Sequence, residues 1–425
     1  MTSQKVNKLE RKFGLIGKKF SLMHQKLKNN LHRFSPFFLL FLVMFTNLWV
    51  ASPAMRIGEA VHSKNDSKLQ LASAVELTLL NKYPSDDYVR VLGLALEDDY
   101  LFSIIGYNPT IFDVSNASNP TFISEYIYPT GRLTTLTFRN EYLYLGSLYG
   151  LEILDVSNHT NISKVGVYNT TISDHVWAIT LQDDYAYLAA ENNGLVIVNI
   201  SDPTQPKEVG CYNTSLCAYD VVVAGDYAFI ANGNETGNAL VILDVSDPLQ
   251  PIEISHYEDV VYTEMPGFGI SVNGSYAYLG TSGYGLFILD ISDIYHPVKL
   301  SQFYGGTDSM GDWSDETVKD IFVYGKYIFE AAGDNGVYIL DVSDPLNPFL
   351  VGGDKRPYTF DVCLQGTYLY VGDIFYGLLV FQVTFPSTTG RPVGQIIAMI
   401  LVPSLGVVII TTIVILYKRK KISSN

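Results

Sequence analysis

A chain of 425 residues, 48% of them hydrophobic and 17% charged, is too apolar for a disordered protein and long enough to bury a large core. Three cysteines are too few for a disulfide-stapled scaffold. The formal net charge of −15 is unevenly spread: both ends are basic, and between them 42 acidic residues face 15 basic ones. So acidic a middle repels nucleic acid, which excludes a nucleic-acid-binding protein; its plainest use is solubility, and any partner it selects by charge is a cation.

Residues 1–33 form a basic leader with nine Lys or Arg against one acid, Glu10. In the segment 34–54, the apolar stretch Phe34 to Val50 is followed by the small residues Ala51-Ser52-Pro53-Ala54. This reads either as a signal peptide cut after about Ala54 or as a retained signal anchor, and both readings export the chain beyond it. A linker, 55–74, leads to the body of the chain.

From 75 to 385 one pattern recurs. A tyrosine is followed two residues later by another aromatic at Tyr100/Phe102, Tyr142/Tyr144, Tyr185/Tyr187, Tyr227/Phe229, Tyr276/Tyr278, Tyr327/Phe329 and Tyr368/Tyr370, in steps of 41 to 51 residues. Residues i and i+2 share one face of a strand, so each pair reads as core aromatics of a repeat. About ten residues downstream of each pair an apolar run ends in Asp-Val-Ser or a variant, as in Leu240 to Ser246, and then stops at Asp-Pro in the fullest copies, Asp202-Pro203, Asp247-Pro248 and Asp344-Pro345. Pro cannot donate to a ladder, and Asp bonds its own backbone in turns, so the chain turns there into a further strand. With an apolar segment before each aromatic pair, every copy has four short strands, the pattern of a propeller blade. The seventh copy ends near Phe385 without its fourth strand, and Val75 to Tyr83 lies unassigned at the other end. The expected fold is all-β, a seven-bladed β-propeller closed by an N-terminal strand paired near Leu378 to Val383, which removes the open sheet edges.

The runs Leu195-Val196-Ile197-Val198-Asn199 and Leu240-Val241-Ile242-Leu243-Asp244, with the Ser and Asp-Pro next to them, resemble the LVIVD-repeat family. The resemblance covers 75–385 and implies a β-propeller of exported or surface-attached proteins of bacteria and archaea, with no common catalytic chemistry. Asn199 and Gln382 replace the marker Asp, and Pro109 weakens the first copy; these departures bear on individual turn bonds.

After a linker, 386–395, the 22 residues from Ile396 to Tyr417 are apolar apart from Thr, Ser and one Pro, and they stop at Lys418-Arg419-Lys420-Lys421. That length spans a bilayer as a helix, and the basic tail 418–425 is expected on the cytoplasmic side, which puts the propeller outside the cell. Asn-x-Ser/Thr sequons starting at Asn65, Asn116, Asn158, Asn161, Asn169, Asn213, Asn234 and Asn273 then read as glycan-bearing surface; the match at Asn199 falls on a repeat marker and reads as false. Cys211 and Cys217 flank a blade-to-blade crossover and are a possible disulfide, while Cys363 reads as a buried thiol on an inner strand.

No motif of catalysis survives: there is no G-x-S-x-G, H-E-x-x-H, paired C-x-x-C or phosphate loop, the histidines are dispersed, and Asp174-His175 reads as a loop-satisfied pair. The expectation is therefore no enzyme and no resident cofactor. Asp220, Asp320 and Asp361 share one position on the inner strands, where they can hold a divalent cation such as calcium or bond backbone in neighbouring loops. The longest insertion, Gly305 to Glu316, carries Trp313 among Asp308, Asp312, Asp315 and Glu316, a candidate partner contact. The leading functional reading is a membrane-anchored surface scaffold that binds another protein or a glycan. The alternatives are an extracellular hydrolase or lyase with its site at the channel mouth, and a structural component of the cell envelope.

Overall fold

The computed structural model describes residues 75–84, 89–129, 132–170, 175–234, 237–259, 269–281, 284–305, 318–355 and 358–386. All of them lie in the second of two compact units, Ala72–Asn425; the first is Met1–Leu71. Among the described residues there are 28 strands in seven four-stranded antiparallel sheets and no helix. Six sheets are consecutive in sequence, beginning with the inner strands Val91–Glu97, Leu133–Arg139, Ala178–Gln182, Cys217–Ala224, Ile270–Asn273 and Asp320–Tyr324, which head blades 1 to 6. Blade 7 takes Thr359–Gln365, Tyr368–Asp373 and Gly377–Thr384 from the end of the repeats, and Glu76–Tyr83 from their start. That last pairing runs from Glu76↔Thr384 to Tyr83↔Leu378, in the expected region, with a register shift between Leu79 and Asn81. Each inner strand touches the next, and the seventh touches the first, so the ring is closed.

Each sheet packs between two neighbours, so its middle strands are buried on both faces. Leu195–Asn199 is buried along all but its last residue, as are Leu240, Val241, Ile242 and Leu243 in the next blade. The second aromatic of every pair, from Phe102 to Tyr370, is buried, and each apolar cluster is shared by adjacent blades; Tyr187 and Leu195 of blade 3, for example, pack with Ala218 and Val221 of blade 4. Burying one such side chain stabilises by about 1.5 to 3 kcal/mol, so the inter-blade seams hold the ring.

The repeat marker closes the turn between the third and fourth strands. The side-chain oxygen of Asp113, Asp155, Asn199, Asp244, Asp290 or Asp341 accepts the backbone N–H of the Ser two residues on, at 2.8 to 3.1 Å. Asn199 therefore does the work of Asp, and the sequon match there is a repeat feature. Gln382 makes no such turn, because the chain leaves the sheet; its amide donates to Thr367. The outer strands carry a second repeat device. At one register position they have Ser or Gly, where Ser301 Oγ donates to the Pro345 carbonyl of the next blade at 2.5 Å, and where a Cβ on Gly210 would stand 2.1 Å from the Pro248 carbonyl.

Strand direction sorts the connections onto two faces. The inner strands all start on one face, so that face carries the second-to-third hairpins and the crossovers from one blade to the next. The opposite face, the turn face, carries the first-to-second hairpins and the Asp-Ser turns. The possible disulfide is not formed: Cys211 and Cys217 are free, since Cys211 belongs to the outermost strand Lys207–Tyr212 of blade 3 and Cys217 opens the innermost strand of blade 4. Among the described residues no helix is long and apolar enough to cross a membrane; 34–54 and 396–417 lie outside them.

Candidate binding face

The turn face repeats itself and the crossover face does not. At the crossover end of the inner strands, Leu92, Thr134, Trp177, Tyr219, Lys319 and Phe360 occupy one equivalent position. The strands of blades 1, 2, 4 and 7 are bulged there, with register shifts at Val91/Leu94, Leu133/Thr135, Ala218/Asp220 and Thr359/Asp361. A bulge re-aims a side chain out of the ladder, and here neighbouring side chains meet around the mouth of the axis. Trp177 and Tyr219 have ring centroids 6.0 Å apart, and Lys319 Nζ sits 5.4 Å from the Phe360 centroid. Burial pulls the Lys319 amine down to about 8, against the opposing pull of Asp334.

Beside this collar a loop in blade 3 holds an unusual backbone. Glu191 has φ of 41°, a conformation that its equivalent in blade 6 adopts as a glycine, Gly333, at 48°; both make the same bridge to the next inner strand, to Ala218 and Thr359. A non-glycine residue there costs roughly 1 kcal/mol, and such strain is kept where a side chain is needed. The Glu191 carboxylate accepts the His175 backbone N–H at 3.1 Å and lies 3.0 Å from its Nδ1. The His175 ring stacks on Trp177 at 4.9 Å and 22°. Among the described residues, the buried Trp177 Nε1 has no hydrogen-bond partner. A carboxylate-held imidazole, two further aromatics and an indole N–H are groups that stack on and hydrogen-bond a polar ligand.

One residue deeper, Asp220, Asp320 and Asp361 line the axis, partly reached by water. Each serves as a strut to the next blade: Asp220 accepts Ile270 N–H at 2.7 Å, Asp320 accepts Val362 N–H at 3.0 Å, and Asp361 accepts Leu94 N–H at 2.8 Å across the closing seam. Asp320 and Asp361 also hydrogen-bond to each other, so one carboxyl carries the shared proton. Burial pushes Asp220 up to about 7, helped by the charge of Asp320; burial and the Asp320 charge push Asp361 well above the ordinary range. Among the described residues no group of three His, Cys, Asp or Glu is arranged to hold a metal ion. The three acids bond backbone, in the next blade's inner strand and not in a neighbouring loop. Cys363 lies on the same inner strand as Asp361, partly buried, its thiol pushed up by burial and by the charges of Asp361 and Asp320.

His175 has an acid partner in Glu191, 16 residues away; Asp174, the neighbour the sequence paired it with, lies outside the described residues. Asp308, Asp312, Trp313, Asp315 and Glu316 also lie outside them, between the outer strand Val298–Phe303 and the inner strand Asp320–Tyr324, whose facing ends open on the crossover face. Of the sequon asparagines, Asn116, Asn158, Asn161, Asn169, Asn213 and Asn273 are exposed; Asn234 ends the strand Tyr227–Asn234, and Asn65 is outside the described residues.

No curated protein is similar to this chain. Among solved structures, the crystal structure of the computationally designed Ika8 protein is similar with a TM-score of 0.52 at 9% identity, over 72% of this chain and 99% of that one; this likeness shows the fold alone. The LVIVD repeat matches seven times, at 95–127, 136–170, 174–214, 217–259, 268–303, 317–353 and 358–388, one match to each blade. Together these matches take in more than half of the sequence, and the chain belongs to the LVIVD repeat family.

Proposed function

We propose that this protein is a membrane-anchored, extracellular binding propeller whose crossover face recognises a surface protein or a glycan, without catalysis. The observation that carries the reading is the segregation of the repeat. The Asp-Ser turns recur on one face, while the other differs from blade to blade in loop length, in collar residue and in the strained Glu191. In a repeat protein, the face freed from the repeat is the one available for recognition. The insertion with Trp313 and its four acids joins strands on the same face and extends the proposed surface.

The test is capture of surface-biotinylated proteins and of an immobilised glycan panel by the full chain. Trp177→Ala, Trp313→Ala and Glu191→Gly are expected to weaken capture by about 1 to 3 kcal/mol, with stability changed by less than about 1 kcal/mol. Thr204→Ala, on the turn face, is expected to leave capture unchanged. Equal losses from both faces would remove the reading. The Glu191–His175 pair favours a second reading, an extracellular hydrolase or lyase; turnover of a captured ligand that disappears in His175→Ala would establish that one instead.

A further inference from the structure

The turn face is regular in backbone but divided in chemistry. Two positions recur in every complete turn, exposed in all copies except at the half-buried Ser118: the fifth residue after the marker, and the eighth, which opens the outer strand. In blades 1 to 3 they hold Ser118 and Thr121, Thr160 and Ser163, Thr204 and Lys207. Blades 4 to 6 have Leu249 and Ile252, Tyr295 and Val298, Leu346 and Phe349 at the same positions, each between 49% and 63% exposed. Three successive copies thus put two large apolar side chains into solvent where the other three put polar ones. Scattered apolar residues need no explanation, but an arc repeated in register over three neighbouring blades marks a surface that is covered.

The chain ends tell what covers it. Glu76 pairs with Thr384, so the described chain enters and leaves side by side on the turn face, where other blades have their third-to-fourth turn. Beyond Thr384, Phe385 stacks against Tyr324 of blade 6 at 5.7 Å and lies 5.3 Å from Tyr327, so the exit is held at the end of the apolar arc. From there, 386–395 lead to the apolar run Ile396 to Tyr417, and ten residues reach roughly 35 Å at most, about the width of one domain. If 396–417 is an anchor, a tether of that length lets the turn face reach the bilayer. Blades 1 and 2 also carry the exposed sequons Asn116, Asn158 and Asn161 on this face, a rim unsuited to lipid.

We propose that the turn face of blades 4 to 6 rests on the lipid bilayer, its six apolar side chains inserted among the head groups. The propeller is then tilted, with blades 1 to 3 lifted clear and the crossover face turned away from the membrane. The domain is acidic, so contact is made by apolar insertion rather than by attraction to anionic lipid. This inference rests on the reading of 396–417 as a membrane anchor, and the experiment separates the two.

The full chain is reconstituted into vesicles of phosphatidylcholine that contain a photoactivatable phosphatidylcholine with a diazirine near its head group, and adducts are mapped by mass spectrometry. Adducts on 249–252, 295–298 and 346–349 are expected at least about fivefold above those on 118–121, 160–163 and 204–207, together with adducts in 396–417. The triple variant Leu249→Glu, Tyr295→Glu, Leu346→Glu changes only exposed side chains; it is expected to lose the arc adducts and keep those of 396–417. Labelling of 396–417 with a silent arc would overturn the docking and leave the anchor standing. No labelling of 396–417 would overturn both. Equal labelling of all six turns, or chain-to-chain cross-links through the arc that rise with protein density, would overturn the docking in favour of random orientation or of a second copy.

Discussion

At the residue scale, the half-buried acids of the axis give this propeller a pH dependence whose sign can be worked out. A carboxyl raised in the folded protein keeps a proton that the unfolded chain has lost, so the native state binds more protons between the two values, and stability falls as pH rises through that window. For Asp220 the window runs from the ordinary 3.8 to about 7, and Asp320 and Asp361 are shifted in the same direction. Asp361→Asn keeps an oxygen to accept the Leu94 N–H and offers an amide to the Asp320 carboxylate in place of the shared proton. The variant is expected to be more stable than the wild type at pH 8 by about 1 to 3 kcal/mol, with the difference vanishing near pH 4, as measured by denaturation across pH. A variant that is less stable at pH 8 would mean that the pair costs nothing when ionised. The role of these acids was half legible in the sequence: the shared position could be aligned, but whether each oxygen met an ion or a neighbouring N–H depended on a strand roughly 40 or more residues away. Glu191 was not legible at all, because a glutamate in a turn looks ordinary until its φ is known.

At the element scale, the strand is the unit that the sequence specifies best. Leu195 to Val198 reads as buried from its unbroken apolar run, and Asn199, in place of the marker Asp, still accepts the Ser201 N–H in the stop after it. The closing strand Glu76–Tyr83 was legible by default, as the segment needed to complete a blade one strand short. Deleting 75–83 leaves Gly377–Thr384 as a bare edge, and loss of a single cooperative unfolding transition, or aggregation, is expected; a truncated chain that melts like the full one would refute the closure. Gly210 offers a finer test, because a Cβ there would stand 2.1 Å from the Pro248 carbonyl of the next blade. Gly210→Val is expected to cost about 1 to 3 kcal/mol in chemical denaturation, since carbonyl and strand must move apart. Valine is a good strand former, so strand propensity alone would favour a gain instead.

At the scale of the whole molecule, the proposed function gives the two faces different tasks, and the proposed orientation of the chain across a membrane can be tested directly. With the propeller outside and the tail inside, protease added to intact cells is expected to cut within 75–385 while an epitope after Lys421 stays protected; an accessible epitope would reverse the orientation and remove the surface reading. The period, the strand pattern, the blade number and the manner of closure are written in the chain itself, because they come from alternation, turn chemistry and repetition, which are local and occur seven times over. Which residues meet was settled only when the blades packed. Closing the ring brings Asp361 to Leu94, lays His175 on Trp177 against Glu191, and separates Cys211 from Cys217. Each of these single-copy juxtapositions depends on how neighbouring blades pack, and no local rule of the chain encodes that.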